Sequence, residues 1–179
     1  MNTAAEWSER IARRVTPDEV DFAADVGEAY AAGAASRAAL FDRPGAEPGG
    51  FGLASAIGEL PLILAALADT GRILRHALAT QELGNAVAIA SLWVSLRGTR
   101  TPPTAPQGTK AGTDDAQAAS ADDARTALTR AYAELTDRLR SLGFPPERAE
   151  RLARELLEEL LADAVSAEDF IRRLDGGKR

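Results

Sequence analysis

Apolar residues recur along this chain with the period of a helix. Residues 4–14 form a first short amphipathic segment, with Trp7, Ile11 and, just past its end, Val15 on one face. "VTPDEV", residues 15–20, carries the marks of a helix start. Thr16 is the expected N-cap, Pro17 the first helical residue and Glu19 the partner in a capping box, with Val15 and Val20 as the hydrophobic staple. The second helix then runs to about Phe41. Its stripe is small (Ala23, Ala24, Gly27, Ala31, Ala34 and Ala38), which lets helix axes approach closely, and Gly27 and Gly33 are places where it can bend. "DRPGAEPGG", residues 42–50, reads as a loop. A short helix ending near Gly58 follows. Leu60, Ile63, Leu64, Leu67, Gly71, Leu74 and Leu78 then predict one helix over 60–79, with Asp69, Arg72, Arg75 and His76 on its polar face. Residues 80–98, "TQELGNAVAIASLWVSLRG", are apolar nearly all round and are expected to form the central buried helix. The β-branched run in 83–96 also permits a strand; no second alternating segment exists to pair with it, which favours helix.

The pattern then lapses. "GTRTPPTAPQGTKAGTDDAQAASADD", residues 98–123, has no large apolar side chain. Such a segment cannot repay its ordering entropy by burial, so residues 99–119 are expected to be a flexible linker. It divides the chain into a helical unit, 1–98, of about five helices, and a smaller unit, 120–176. In the latter, Ser120 is the expected N-cap of a helix carrying Leu128, Tyr132, Leu135, Leu139 and Leu142. "SLGFPPERAERLARELLEELL", residues 141–161, ends that helix at Gly143, folds Phe144 back on its last turn and restarts at Pro146. Ala149, Leu152, Ala153, Leu156, Leu157 and Leu160 share one face of the second helix. A third is expected from Ser166 as N-cap, with Val165 and Phe170 as its staple and Ile171 and Leu174 completing its face. The expected fold class is all-α.

Composition narrows the function. The net charge is −6 with 27% charged residues, and Lys occurs only at 110 and 178. An acidic chain without clustered basic residues is not expected to bind nucleic acid directly, nor to adsorb to anionic membranes. The absence of cysteine excludes disulfides, thiolate nucleophiles and Cys-based zinc sites. The N-terminus lacks the apolar stretch of a secretory signal. No window of about 18 residues is both apolar and uncharged. A cytoplasmic protein is the expectation.

No residue pattern predicts chemistry. His76 is the single histidine and lies on a polar helix face with no partner nearby in sequence. Asp18, Glu19, Asp21 and Asp25, and also Glu158 and Glu159, lack the Glu-x-x-His companion of carboxylate metal sites in bundles. "RPGAEPGGFG" lacks the Lys-Ser/Thr ending of a phosphate loop. Catalytic, cofactor and metal residues are therefore expected to be none. Arg148, Arg151, Glu155, Glu158 and Glu159 are spaced to pair along one helix, each pair contributing about 0.3–0.5 kcal/mol.

Residues 128–174, through "LRSLGFPPERAERLARELL" and "AEDFIRRL", resemble the UBA-like three-helix module, in particular the type that forms the C-terminal domain of RuvA. The N-terminal unit shows none of the β-barrel or helix-hairpin-helix signals found in RuvA itself. The resemblance implies a small protein-binding bundle that contacts a motor ATPase. Two small helical units on a tether, without a reaction centre, point to a non-enzymatic adaptor or assembly protein. The alternatives are a regulator of an ATPase or nucleic-acid machine acting through the C-terminal module, and a membrane-associated protein acting through residues 51–97. The expected partner-binding residues are Phe144, Arg148, Arg151 and Glu155, with Trp93, Val94 and Leu96 beside the linker. Residues 51–97 look too apolar for the alanine-rich helices before them to cover, which predicts a homo-oligomer or a bound protein partner. The linker reading makes one further prediction. Limited proteolysis should cut near Arg100 or Lys110 first, and protection of those bonds while other loops are nicked would refute it.

Overall fold

Thr3 opens the first helix with a reciprocal cap. Its hydroxyl accepts from the Glu6 amide at 3.2 Å, and the Glu6 carboxylate accepts from the Thr3 amide at 2.6 Å, so two otherwise orphaned N–H groups are satisfied. The computed structural model describes residues 3–41, 58–81 and 114–176, and every regular element within them is helical. These elements are α1 (Ala4–Val15), a 3-10 turn (Pro17–Glu19), α2 (Val20–Ala32), α3 (Ala34–Phe41), α4 (Glu59–Asp69), α5 (Gly71–Gln81), α6 (Asp114–Ser141), α7 (Pro146–Ala162) and α8 (Ala164–Gly176). The fold class is all-α. The segment 83–96, whose pattern permits helix or strand, lies outside the described residues, as does the expected loop 42–50.

Two long helices expected from periodicity are each broken once. Gly33, with φ 112°, separates α2 from α3. Thr70 separates α4 from α5, and its hydroxyl and amide both bond the Ala66 carbonyl. The start at residues 16–20 also differs from expectation. Thr16 precedes only a 3-10 turn, and its buried hydroxyl has no hydrogen-bond partner among the described residues. The Glu19 carboxylate reaches instead to the Glu59 amide at 2.7 Å and the Leu60 amide at 3.0 Å. It therefore caps α4, forty residues on, where the helix dipole favours a negative charge.

The C-terminal helices correct two further expectations. α6 begins at Asp114, so Ser120 is inside the helix and residues 114–119 of the expected linker are helical. The run "DDAQAASADDA" explains this, being rich in alanine and acidic in its first turn. At α8, Asp163 takes the capping role expected of Ser166, accepting from the Ser166 amide at 3.3 Å. Val165 is 65% exposed and forms no staple.

The corner at Gly143 follows its sequence signature. Gly143 has φ 100°. The Phe144 amide bonds the Leu139 carbonyl at 3.2 Å, and the Gly143 amide bonds the Arg140 carbonyl at 3.0 Å, the paired bonds of a Schellman motif. Phe144 and Leu139 are both buried, supplying its apolar contact.

The core does not follow the division at the linker. One cluster of buried residues joins Trp7, Ile11, Tyr30, Leu60, Ile63, Leu64, Leu67, Leu74 and Leu78 to Leu135, Leu139, Leu156, Leu160, Phe170, Ile171 and Leu174. α4 is apolar almost all round and is buried accordingly. It packs against α6 and α8, as does α5. The apolar residues of 59–81 are therefore covered by the leucine-rich C-terminal helices, which removes that stretch from the surface expected to drive association. On the other side, α1 lies close on α2. A Cβ on Gly27 would sit 2.7 Å from the Ala4 carbonyl oxygen, so the small residue is required for this approach.

Gly143→Ala should destabilise the full chain by about 1 kcal/mol or more, because a Cβ is strained at positive φ. Among the described residues, no heavy atom beyond its chain neighbours lies within 4 Å of such a Cβ, so the effect isolates backbone strain. Urea denaturation measures it, and an unchanged midpoint would show that the corner tolerates a side chain.

Candidate functional site

A dense polar cluster is built where α1 crosses the C-terminal helices. Trp7 and Ile11 turn one face of α1 inward, which leaves Arg10 and Arg14 at the rim. The Trp7 ring is fully buried and stacks on Phe170, with centroids 5.5 Å apart and planes 14° from parallel. Its Nε1–H donates to Ser166 Oγ at 3.0 Å. The Arg10 guanidinium lies 4.2 Å from the indole centroid, a cation–π contact. From there it donates to Glu159 Oε1 at 2.6 Å, with Asp163 at 3.7 Å. Arg14 pairs with Glu158 and reaches Glu159 Oε2 at 3.1 Å.

Further pairs cross the same division. Arg148 on α7 pairs with Glu59 on α4, and Arg138 on α6 with Asp69. Arg75 on α5 meets Asp175 on α8 at 3.2 Å. Arg37 donates to the Leu174 carbonyl at 2.7 Å and the Tyr30 carbonyl at 3.0 Å, and its guanidinium lies 4.9 Å from the Tyr30 ring centroid. The Tyr30 hydroxyl donates to the Pro61 carbonyl at 2.7 Å, and burial raises its pKa above the ordinary 10.0.

These partners redistribute the expected partner-binding residues. Phe144 is only 7% exposed and belongs to the core. Arg148 is engaged with Glu59. Glu158 and Glu159 pair with α1 instead of with arginines of their own helix, because α1 brings two guanidinium groups within direct reach. Arg151 is exposed and Glu155 half-buried, and neither has an ion pair among the described residues. Trp93, Val94 and Leu96 lie outside the described residues. His76 is exposed. Among the described residues no group of three or more His, Asp or Glu side chains could hold a metal ion, and no helix is long and apolar enough to cross a membrane.

The sequence carried no local signal for Arg10, Arg14, Ser166 or Glu19 in these roles. Each partner is tens of residues away or more, and helical spacing reports only neighbours within one element.

Comparison with known proteins finds no match among protein-family models, curated proteins or solved structures. What the protein does must therefore be argued from its own surfaces.

Glu159→Gln should cost about 1–2 kcal/mol, since it leaves two arginines short of a charged acceptor in a partly buried setting. Glu155→Gln on the same helix should stay within about 0.5 kcal/mol. Equal shifts in urea midpoint for the two variants would show that the α1 pairs do not contribute.

Proposed function

We propose that the protein acts without catalysis, as an adaptor or assembly factor that joins partners through helical surfaces. The observation that carries this reading is the two-sided character of α7. Ala149, Leu152, Ala153, Leu156, Leu157 and Leu160 anchor it in the core. Arg151 and Glu155, on turns facing away from that apolar row, keep charges of opposite sign without ion pairs among the described residues. A helix held rigidly by one face and charged on the other can orient a partner, and such charges set specificity and approach rate. The UBA-like reading of residues 120–176 belongs to the same proposal, with α7 as the second helix of that module. The net charge of −6 favours a protein partner over a nucleic acid.

The test uses the tagged full-length chain, with copurifying proteins quantified by mass spectrometry. The double variant Arg151→Glu with Glu155→Arg should keep its urea midpoint, because neither group has an ion pair among the described residues. It should retain a specific partner at least about tenfold less well, equivalent to about 1.4 kcal/mol. Identical recovery by the two proteins would overturn the reading.

A further inference from the structure

Helix α2 carries a row of acids without counter-charges. The stretch "PDEVDFAADVGEAYAA", residues 17–32, holds Asp18, Glu19, Asp21, Asp25 and Glu28 and neither Lys nor Arg. Glu19 is engaged internally, on the first amides of α4. The other four follow at steps of three, four and three residues; Asp21, Asp25 and Glu28 lie along one side of α2, and Asp18 precedes them in the 3-10 turn. All four are exposed, and none has an ion pair or side-chain hydrogen bond among the described residues. Much of the remaining surface is arranged differently. Glu9 pairs with Arg13, Glu168 and Asp169 with Arg172, and Asp137 and Glu150 with Arg140. Asp18 and Asp21 complement the N-terminal dipole of α2, but Asp25 and Glu28 lie beyond its first turn. Like charges four residues apart, such as Asp21 and Asp25, oppose helix formation. Asp25 and Glu28 therefore do not serve the helix that carries them.

Phe22 stands within this row, four residues from Asp18 and three from Asp25. It is 61% exposed, whereas Trp7, Phe144 and Phe170 are buried. The opposite face of α2, with Ala23, Gly27 and Tyr30, is buried. Among the described residues, the acid-flanked aromatic face of α2 thus has no partner.

We propose that this outer face of α2 docks a basic polypeptide segment, one that sets Lys or Arg side chains around an apolar residue. Charge complementarity decides the occupant. Four unpaired carboxylates repel phosphate and anionic lipid and attract ammonium and guanidinium groups. Phe22 supplies an aromatic anchor for the centre of the contact, and its ring face can receive a guanidinium. The proposal rests on the reading of the protein as an interaction module, and it adds a second face with the chemistry of its partner.

The experiment titrates the full-length chain into a fluorescein-labelled synthetic amphipathic helix of Leu and Lys, read by anisotropy at several salt concentrations. Three variants are compared. Phe22→Ser removes the anchor. Asp21→Asn with Asp25→Asn removes two charges from the row. Asp123→Asn with Glu134→Gln removes from α6 two exposed acids that have no ion pair among the described residues and changes the net charge equally. The expected result is salt-sensitive binding that each α2 variant weakens about tenfold, and that the α6 variant leaves unchanged. Binding unaffected by Phe22→Ser, or weakened as much by the α6 variant, is general attraction to an acidic protein and overturns the proposal. Light scattering that shows a wild-type dimer made monomeric by Phe22→Ser also overturns it, assigning the face to a second copy. Absence of peptide binding, while the partner sensitive to the α7 charge reversal is still retained, overturns the α2 surface alone and leaves the interaction-module reading standing.

Discussion

An indole with no solvent contact must place its N–H on an acceptor, and this requirement organises one whole side of the protein. Trp7 is fully buried, and Ser166 is the residue that accepts from it. Bond and ring stack together set α1 against α8, since the hydrogen bond fixes a direction and Phe170 fixes a plane. Arg10 then lies over the face of the same ring and is carried to Glu159. The apolar, aromatic and ionic contacts of this region all converge on the side chain at position 7.

The shared core has its origin in surface and volume. A bundle of fewer than a hundred residues buries a modest fraction of its surface. α4 is apolar on nearly every side, while α2 offers it mainly alanine and glycine. Leucines 135, 139, 156 and 160 come from the other end of the chain and complete the cover. Conversely, the three C-terminal helices gain in α4 and α5 a partner for their leucine faces. Burial of each such side chain contributes about 1.5–3 kcal/mol, which outweighs what any rim ion pair supplies.

Charge is therefore better understood as orientation than as adhesion. Arginines of α1, α6 and α7 pair with carboxylates on other helices, and these contacts favour one relative placement of helices whose apolar faces could slide. The acids of α2 and the Arg151–Glu155 turns of α7 take no part in this. They are faces whose charges have no ion pair among the described residues, and a helix held rigidly by its inner face presents such charges to a partner without further ordering.

Helices, their buried faces and the Gly143 corner were legible in the sequence, because each depends on residues within one or two turns. The inner face of α7 is buried residue for residue as its spacing predicts, and Leu139, Gly143 and Phe144 form the expected motif. Caps were less legible. The Thr16–Glu19 and Ser166 signatures were present, yet Glu19 and Ser166 were drawn to α4 and to Trp7, because a distant buried amide or indole N–H competes successfully for the same oxygen. Two long helices were also broken, at Gly33 and Thr70, where periodicity alone runs on. Which faces remain open was decided by packing alone. Phe144, in the corner between α6 and α7, looked available and is buried, whereas Phe22, on α2, is exposed. Periodicity assigns a side chain to a face of its own helix, but only the arrangement of all the helices determines which faces meet another and which meet water.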